Sequence, residues 1–282
     1  MSITSPSADL PPLREVPPLR EVITRHGLDA KKSLGQHFIL DPAITARIAA
    51  LPGDLTGRTV VEVGPGPGGL TRALLATNAA RILAIELDRR AIAAIEELRP
   101  HHPDRLDIQE ADATTLDLAA LSHSPRQLVA NLPYNIATPL LIGWLRQAAE
   151  WERMTLMFQL EVAERLCAPP NTAPYGRLAV LTQWTCDAHI ALRLPPGSFV
   201  PPPKVWSAVV SLTPKPFQPD PALFRTMERL TAAAFGQRRK MLRGSLKALG
   251  GEFLLDQAAI SPDRRPETLT PTEFEALAKL LA

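Results

Sequence analysis

The chain has 282 residues, 45% of them hydrophobic, and a formal net charge of +2, so it can build an ample core without staples and its overall charge identifies no partner. Its two cysteines, Cys167 and Cys186, form no CxxC pattern and no disulfide framework, which excludes a cross-linked secreted scaffold. No apolar run reaches membrane-spanning length and the N-terminus lacks the basic-then-apolar layout of a signal peptide, so a soluble cytoplasmic protein is expected.

In chain order, the hexapeptide PPLREV at 11–16 recurs unchanged at 17–22. So short a duplication makes no repeat architecture, and residues 1–18 are expected to form a Pro-rich disordered tail, with order beginning near Leu19. Asp41-Pro42 sets a capping side chain before a first-turn proline and predicts a helix start. Thr59–Val63, Arg81–Ile85, Leu106–Gln109, Gln127–Ala130 and Thr155–Phe158 read as strands. Glu86–Leu98 reads as a helix, and Thr138-Pro139 as another helix start. This alternation predicts an α/β fold with a doubly wound, mostly parallel sheet.

After Ala188–Leu194 comes Phe199-Val200-Pro201-Pro202-Pro203-Lys204, a stiff extended loop. Val205–Leu212 follows as a strand, and its short connection predicts an antiparallel partner. The composition shifts at Thr213–Asp220, a linker. Beyond it Asp220-Pro221, Ser261-Pro262 and Thr270-Pro271 announce the helices of a small C-terminal helical domain, which puts the domain limits at 19–214 and 215–282.

Chemistry gathers at the strand ends. Val60-Val61-Glu62-Val63 runs into Gly64-Pro65-Gly66-Pro67-Gly68-Gly69, where glycines let a tight turn bring backbone N–H groups close to a ligand. Glu86 closes the next strand, as an acid for ribose hydroxyls does in both nicotinamide and S-adenosylmethionine sites. Asp112 follows the third strand, where a carboxylate can accept from an adenine amine, and Asn131 follows the fourth. In an open parallel sheet these ends face one crevice. Asn131-Leu132-Pro133-Tyr134 suits a flat base carrying an exocyclic amine: the Asn131 oxygen and a free backbone carbonyl accept N–H bonds, and the Tyr134 face stacks on the ring.

The charge distribution adds a second candidate surface. No acid lies between Glu228 and Glu252, whereas Arg229, Arg238, Arg239, Lys240, Arg243 and Lys247 do. On a helix through Phe235–Leu249, Arg239, Arg243 and Lys247 fall at i, i+4 and i+8, a basic face suited to a phosphate backbone.

With these residues in hand, the sequence resembles the ribosomal RNA adenine dimethyltransferases, and most closely their bacterial small-subunit branch. The carrying motifs are Lys32-Ser33-Leu34-Gly35-Gln36-His37-Phe38, Glu62-Val63-Gly64-Pro65-Gly66 and Asn131-Leu132-Pro133-Tyr134-Asn135, with Phe199–Ser207 and Phe235–Leu246. The resemblance implies a Rossmann-like class I methyltransferase using S-adenosylmethionine and no metal. It places His37, Ile39 and Gly64 at the methionine part of that cofactor, Glu86 at the ribose and Asp112 at the adenine, and Asn131 is counted among the cofactor contacts as well. Two positions depart from the usual pattern: His37 stands for Asn and Ile39 for Leu, so Ile39 is expected to act through its backbone.

For the reaction, the Asn131 oxygen and Leu132 carbonyl would accept the target amine's hydrogens, Pro133 would fix the turn, Tyr134 would stack under the base and Phe199 would cover it. The expected substrate is an unstacked adenine. By resemblance it is one of two adjacent adenosines in a hairpin near the 3′ end of small-subunit ribosomal RNA, met within a partly assembled 30S subunit by a monomeric enzyme. Arg238, Arg239, Lys240, Arg243 and Lys247 are the expected RNA contacts. The alternatives are a large-subunit methyltransferase of the macrolide-resistance type, a non-catalytic assembly factor and a nicotinamide dehydrogenase; the last leaves Asn131–Tyr134 and the basic segment unexplained.

Overall fold

A computed structural model describes residues 16–28, 37–237 and 239–282. The first PPLREV copy as far as Glu15, the motif residues Lys32–Gln36 and Arg238 lie outside the described residues. Packing begins before the predicted Leu19: Val16 is buried in an apolar cluster, and the Pro17 carbonyl accepts from Arg72 Nη1 at 2.6 Å.

The chain runs through α1 (Leu19–Arg25), α2 (Pro42–Ala50), β1 (Thr59–Val63), α3 (Gly69–Leu75), β2 (Arg81–Glu86), α4 (Arg89–Glu96), β3 (Leu106–Glu110) and β4 (Arg126–Asn131). It continues through α5 (Tyr134–Leu145), β5 (Arg153–Gln159), α6 (Leu160–Leu166), α7 (Arg177–Thr185), β6 (Cys186–Leu194) and β7 (Ser207–Pro214). It ends in α8 (Pro221–Gly236), α9 (Leu242–Ser245), α10 (Gly251–Gln257) and α11 (Pro271–Leu281). One seven-stranded sheet has the order β3-β2-β1-β4-β5-β7-β6. The pairs among β1 to β5 are parallel, and β7 runs antiparallel to both β5 and β6.

This order creates the site. The chain winds outward from β1 to β3, then returns to lay β4 against the other side of β1, so the connections leave the carboxyl ends of β1 and β4 in opposite directions. All of β1 is buried, with Val61 and Val63 in one apolar cluster and Val60 in the other, as a central strand covered on both faces requires.

Four of the helix starts follow from side-chain capping. Asp41 accepts from Ala43 N at 2.8 Å, and Asp220 accepts from Ala222 N and Leu223 N at 2.8 and 2.9 Å. Thr270 and Glu273 form a reciprocal capping box. The helix predicted from Glu86 begins instead at Arg89, because Asp88 caps Arg90 N at 2.9 Å.

Two predicted starts are corrected. Thr138-Pro139 opens no helix: α5 already starts at Tyr134 behind Pro133, and Pro139 lies inside it. Pro139 and Asn135 are both exposed, so water reaches the carbonyl that the missing N–H leaves unbonded. Ser261-Pro262 makes a turn, closed by Arg264 N to the Ser261 carbonyl at 3.2 Å. Its backbone is engaged by α9, whose Leu242 N and Arg243 N donate to the carbonyls of Arg264 and Pro262.

The C-terminal helices share a core with the sheet region. Phe224, Met227 and Leu230 of α8 and Phe274 and Leu277 of α11 join the cluster containing Trp144 of α5 and Val180 and Trp184 of α7. Trp184 stacks on Phe224 at 5.8 Å, and Glu228 pairs with Arg146 and Arg177 at 2.8 and 3.5 Å. No helix among the described residues is long and apolar enough to cross a membrane.

Candidate active site

A cleft of about 450 Å³ opens at the carboxyl ends of β1, β2, β3 and β4. It brings together His37, Ile39, Gly64, Glu86, Asp112, Asn131, Leu132, Pro133 and Tyr134, which come from segments far apart in the sequence.

The turn after β1 is shaped by Gly64 and Gly66 at φ +68° and +54°, conformations that other residues rarely adopt. A Cβ on Gly66 would sit 3.1 Å from the Phe38 ring, and one on Gly69 would sit 2.7 Å from the Ile39 carbonyl oxygen. The glycines therefore let the segment around His37–Ile39 close against the turn.

The amide groups of Gly64, Gly66 and Gly68 serve the fold rather than a ligand, which corrects the expectation from sequence for these three. Gly64 N donates to the Ile85 carbonyl, Gly68 N to the Pro65 carbonyl, both at 3.0 Å, and Gly66 N to Glu86 Oε2 at 3.1 Å. Pro65 and Pro67 have no N–H at all. Among the described residues, 64–68 thus present no free N–H to a diphosphate, which removes the donors of the turn itself from the dinucleotide reading.

Glu86 is locked in place. Besides Gly66 N, it accepts from Leu87 N and Asp88 N on Oε1 at 2.7 and 2.9 Å, which fixes the carboxylate while leaving lone pairs for hydroxyl donors. Asp112 is exposed, and one of its oxygens accepts from Thr114 Oγ1 at 2.7 Å and Thr114 N at 2.9 Å. The hydroxyl and then the backbone bond of Thr114 hold its carboxyl below the usual range, so it stays an acceptor.

Asn131 ends β4 and donates from Nδ2 to the His37 carbonyl at 3.2 Å. That bond orients the amide, and Oδ1 has no partner among the described residues. Leu132 is buried in the main apolar cluster, so it offers only backbone. Pro133, at φ −56°, precedes the first residue of α5, Tyr134, whose hydroxyl meets Ser207 Oγ at 2.5 Å. Burial pushes the Tyr134 phenol up, partly offset by Ser207.

His37 Nδ1 lies 2.8 Å from the Pro201 carbonyl, which can only accept, so Nδ1 carries the proton. Its ring lies 5.5 Å from that of Tyr134. The Ile39 side chain is buried, and its carbonyl oxygen packs toward Gly69.

Phe199 does not reach the cleft. It is 2% exposed, sits in the second apolar cluster and meets the His37 ring edge-on at 6.4 Å. It props His37 from behind, in place of the cover over the base that was expected of it.

One cleft residue escaped the reading of the sequence. Glu62 lines the cleft yet is 1% exposed, and its Oε2 has no hydrogen-bond partner among the described residues. Burial, reinforced by the nearby charge of Glu86, pushes its carboxyl up to about 8. The available signal was a single acid inside an otherwise apolar strand, Val60-Val61-Glu62-Val63. Among the described residues no group of His, Cys, Asp and Glu is arranged to hold a metal ion.

The basic segment is not one helix. α8 ends at Gly236, and after Gln237–Met241 only the short α9 and a 3-10 turn at Lys247–Leu249 follow. Arg239, Arg243 and Lys247 therefore share no helical face. Arg243 pairs with Asp263 at 2.9 Å, an acid delivered by the Pro262 turn from outside the acid-free stretch. Arg239, Lys240 and Lys247 remain exposed.

The chain is similar to known proteins over most of its length. The sequence family described as "Ribosomal RNA adenine dimethylase" matches residues 27–282. The chain is 63% identical over 277 residues to "Ribosomal RNA small subunit methyltransferase A" of Gluconobacter oxydans, covering 98% of this chain and 89% of that one. It is 54% identical over 276 residues to the protein of that name from Rhodospirillum rubrum, covering 98% and 94%. Among solved structures, a dimethyladenosine transferase from Plasmodium falciparum superposes with a TM-score of 0.70 at 24% identity, over 86% of this chain and 96% of that one. The 23S rRNA methyltransferase ErmE gives 0.64 at 26% identity, over 86% and 99%.

Proposed function

The chain belongs to the ribosomal RNA adenine dimethylase family, and from that premise we propose that its strand-end cleft holds S-adenosylmethionine beside a target adenine clamped by Asn131–Tyr134. The enzyme is an rRNA adenine dimethyltransferase acting on small-subunit ribosomal RNA, a reading carried by the family match and the 63% identity. Its substrate is a pair of adjacent adenosines in a hairpin near the 3′ end of that RNA, met within a partly assembled 30S subunit by a monomeric enzyme.

The residues present fit the cofactor. Among the described residues the buried Oε2 of Glu62 lacks a partner where a cationic ligand would be welcome, and residues 64–68 offer no free N–H to a phosphate, which S-adenosylmethionine does not require. Glu86 would hold the ribose, Asp112 the adenine, and His37, Ile39 and Gly64 the methionine end. When bound, S-adenosylmethionine supplies an electrophilic methyl group on a sulfonium.

Adenine's amino nitrogen is a poor nucleophile because its lone pair is delocalised into the ring. Asn131 Oδ1 and the Leu132 carbonyl accept its two hydrogens, turning the lone pair out of conjugation and stabilising the positive charge that grows on nitrogen. Pro133 fixes the spacing of those acceptors, and Tyr134, held by Ser207, provides the face on which the base rests. No side chain need remove a proton before the transfer; the proton leaves afterwards, when the nitrogen is acidic. The single observation that carries this reading is the Asn131 amide, oriented by His37 with Oδ1 free.

The test is incubation with labelled S-adenosylmethionine and unmethylated small ribosomal subunits, followed by mass spectrometry of the RNA. Dimethyladenosine confined to small-subunit RNA is expected. Tight binding to the subunit without transfer would instead indicate an assembly factor.

A further inference from the structure

The loop between β6 and β7 is fastened to the cleft at both ends. Val200 exchanges two backbone hydrogen bonds with Phe38, at 2.8 and 3.0 Å, and the Pro201 carbonyl holds His37. At the other end Ser207 holds the Tyr134 hydroxyl. Phe38, His37 and Tyr134 all line the cleft, so the loop is anchored directly behind three residues of its wall without lining it itself.

Between these anchors the loop turns apolar groups to solvent. Val200, Val205 and Trp206 are 48%, 44% and 48% exposed, which puts three of the nine exposed large apolar side chains among the described residues within one seven-residue stretch. Trp144, Trp151 and Trp184 are at most 8% exposed, so Trp206 is the exception among the four tryptophans. Nothing in the fold calls for this exposure: Trp206 contributes its carbonyl to Leu160 N at 2.8 Å, a bond any residue could make. Lys204 is exposed beside it and has no ion-pair partner among the described residues, whereas Glu161, next to Leu160, is paired with Arg165.

We propose that Trp206 is a stacking platform for an unpaired base adjoining the target adenine, with Lys204 meeting the backbone phosphate between them. This rests on the dimethylase reading of the cleft. Chemistry on the amino group requires the adenine to leave its stack, and that exposes a face of the neighbouring base. An exposed indole replaces the missing stacking partner with little dependence on base identity. The occupant is single-stranded RNA because Trp206 directly precedes Ser207, which holds the cleft residue Tyr134, and because the one charge in the loop, Lys204, is a cation without an ion-pair partner among the described residues.

The experiment compares wild type, Trp206→Ala and Trp206→Phe on unmethylated small subunits. KM for the subunit is expected to rise about ten-fold in Trp206→Ala and at most three-fold in Trp206→Phe, with kcat and cofactor affinity within two-fold of wild type. Unchanged KM in Trp206→Ala, or loss of cofactor affinity along with KM, would overturn the proposal. A second readout is binding alone: unmethylated small-subunit RNA should quench the solvent-exposed tryptophan emission of wild type and leave Trp206→Phe unaffected. RNA binding without that difference would also overturn it. Absence of methyl transfer by wild type would count against the dimethylase reading, while the quench is read whether or not methyl is transferred, so the two failures are distinguishable.

Discussion

The glycine turn with its neighbouring strand ends and the basic segment after α8 are both dense in functional residue types, yet they relate to the sequence in opposite ways. At the strand ends each residue sits where its own strand stops, and parallel pairing aligns those stops: Val63 pairs with Ile85 and Ala130, and Glu86 with Glu110. Spacing along the chain thus becomes position in space. In the basic segment the charges are equally plain in the sequence, but their faces depend on where helices break and what packs beside them. Strand-end chemistry is therefore set by local geometry repeated across a sheet, whereas a charged face is set by neighbours distant in sequence.

The sharpest way to break this comparison is at Asn131. Asn131→Ala should lower methyl transfer by roughly 10²–10³-fold, the usual effect of deleting one pre-organised charge-stabilising group, while cofactor binding stays measurable by calorimetry. Near-normal turnover would dissolve the strand-end mechanism.

Glu62 comes next. Its folded pKa of about 8 lies above its ordinary 4.5, so the native state binds the extra proton. Its contribution to stability is full below about pH 4.5 and is lost as pH rises through about 8. Denaturant titrations should show the wild type losing on the order of a few kcal/mol across that window, and Glu62→Gln should flatten the slope. An equal slope in both proteins would contradict this assignment.

Gly69→Ala tests the close approach of the turn to the Ile39 carbonyl. Because the obstructing atom is backbone, the expected cost is about 1–3 kcal/mol, visible as a lower Tm together with weaker cofactor binding. A neutral substitution would show that the segment around Ile39 yields freely.

The smallest effects should come from the basic segment. Replacing Arg239 and Lys240 together should reduce the salt slope of RNA binding by about 0.7–0.9 for each phosphate that is no longer neutralised. Arg243→Ala should change the slope less, because Asp263 already neutralises that charge, and Asp263→Asn should tighten RNA binding. Equal slopes for Arg243→Ala and Arg239→Ala would sink this distinction.

The alternating elements, the antiparallel β7 and the row Gly64, Glu86, Asp112 and Asn131 were all legible along the chain. Strand runs, capping pairs such as Asp220-Pro221 and strand-end motifs are local signals, and a doubly wound sheet translates them directly into a cleft. Tertiary structure alone decided the rest. Phe199 looked available beside its proline run, yet an apolar cluster claims it; Pro139 looked like a helix start, yet Pro133 had already begun α5. The amides of the glycine turn were taken by Ile85, Pro65 and Glu86, and Arg243 met an acid twenty residues further on. In each case the deciding partner is remote in sequence and near in space, and burial, competition for hydrogen bonds and charge pairing act only once the chain has folded.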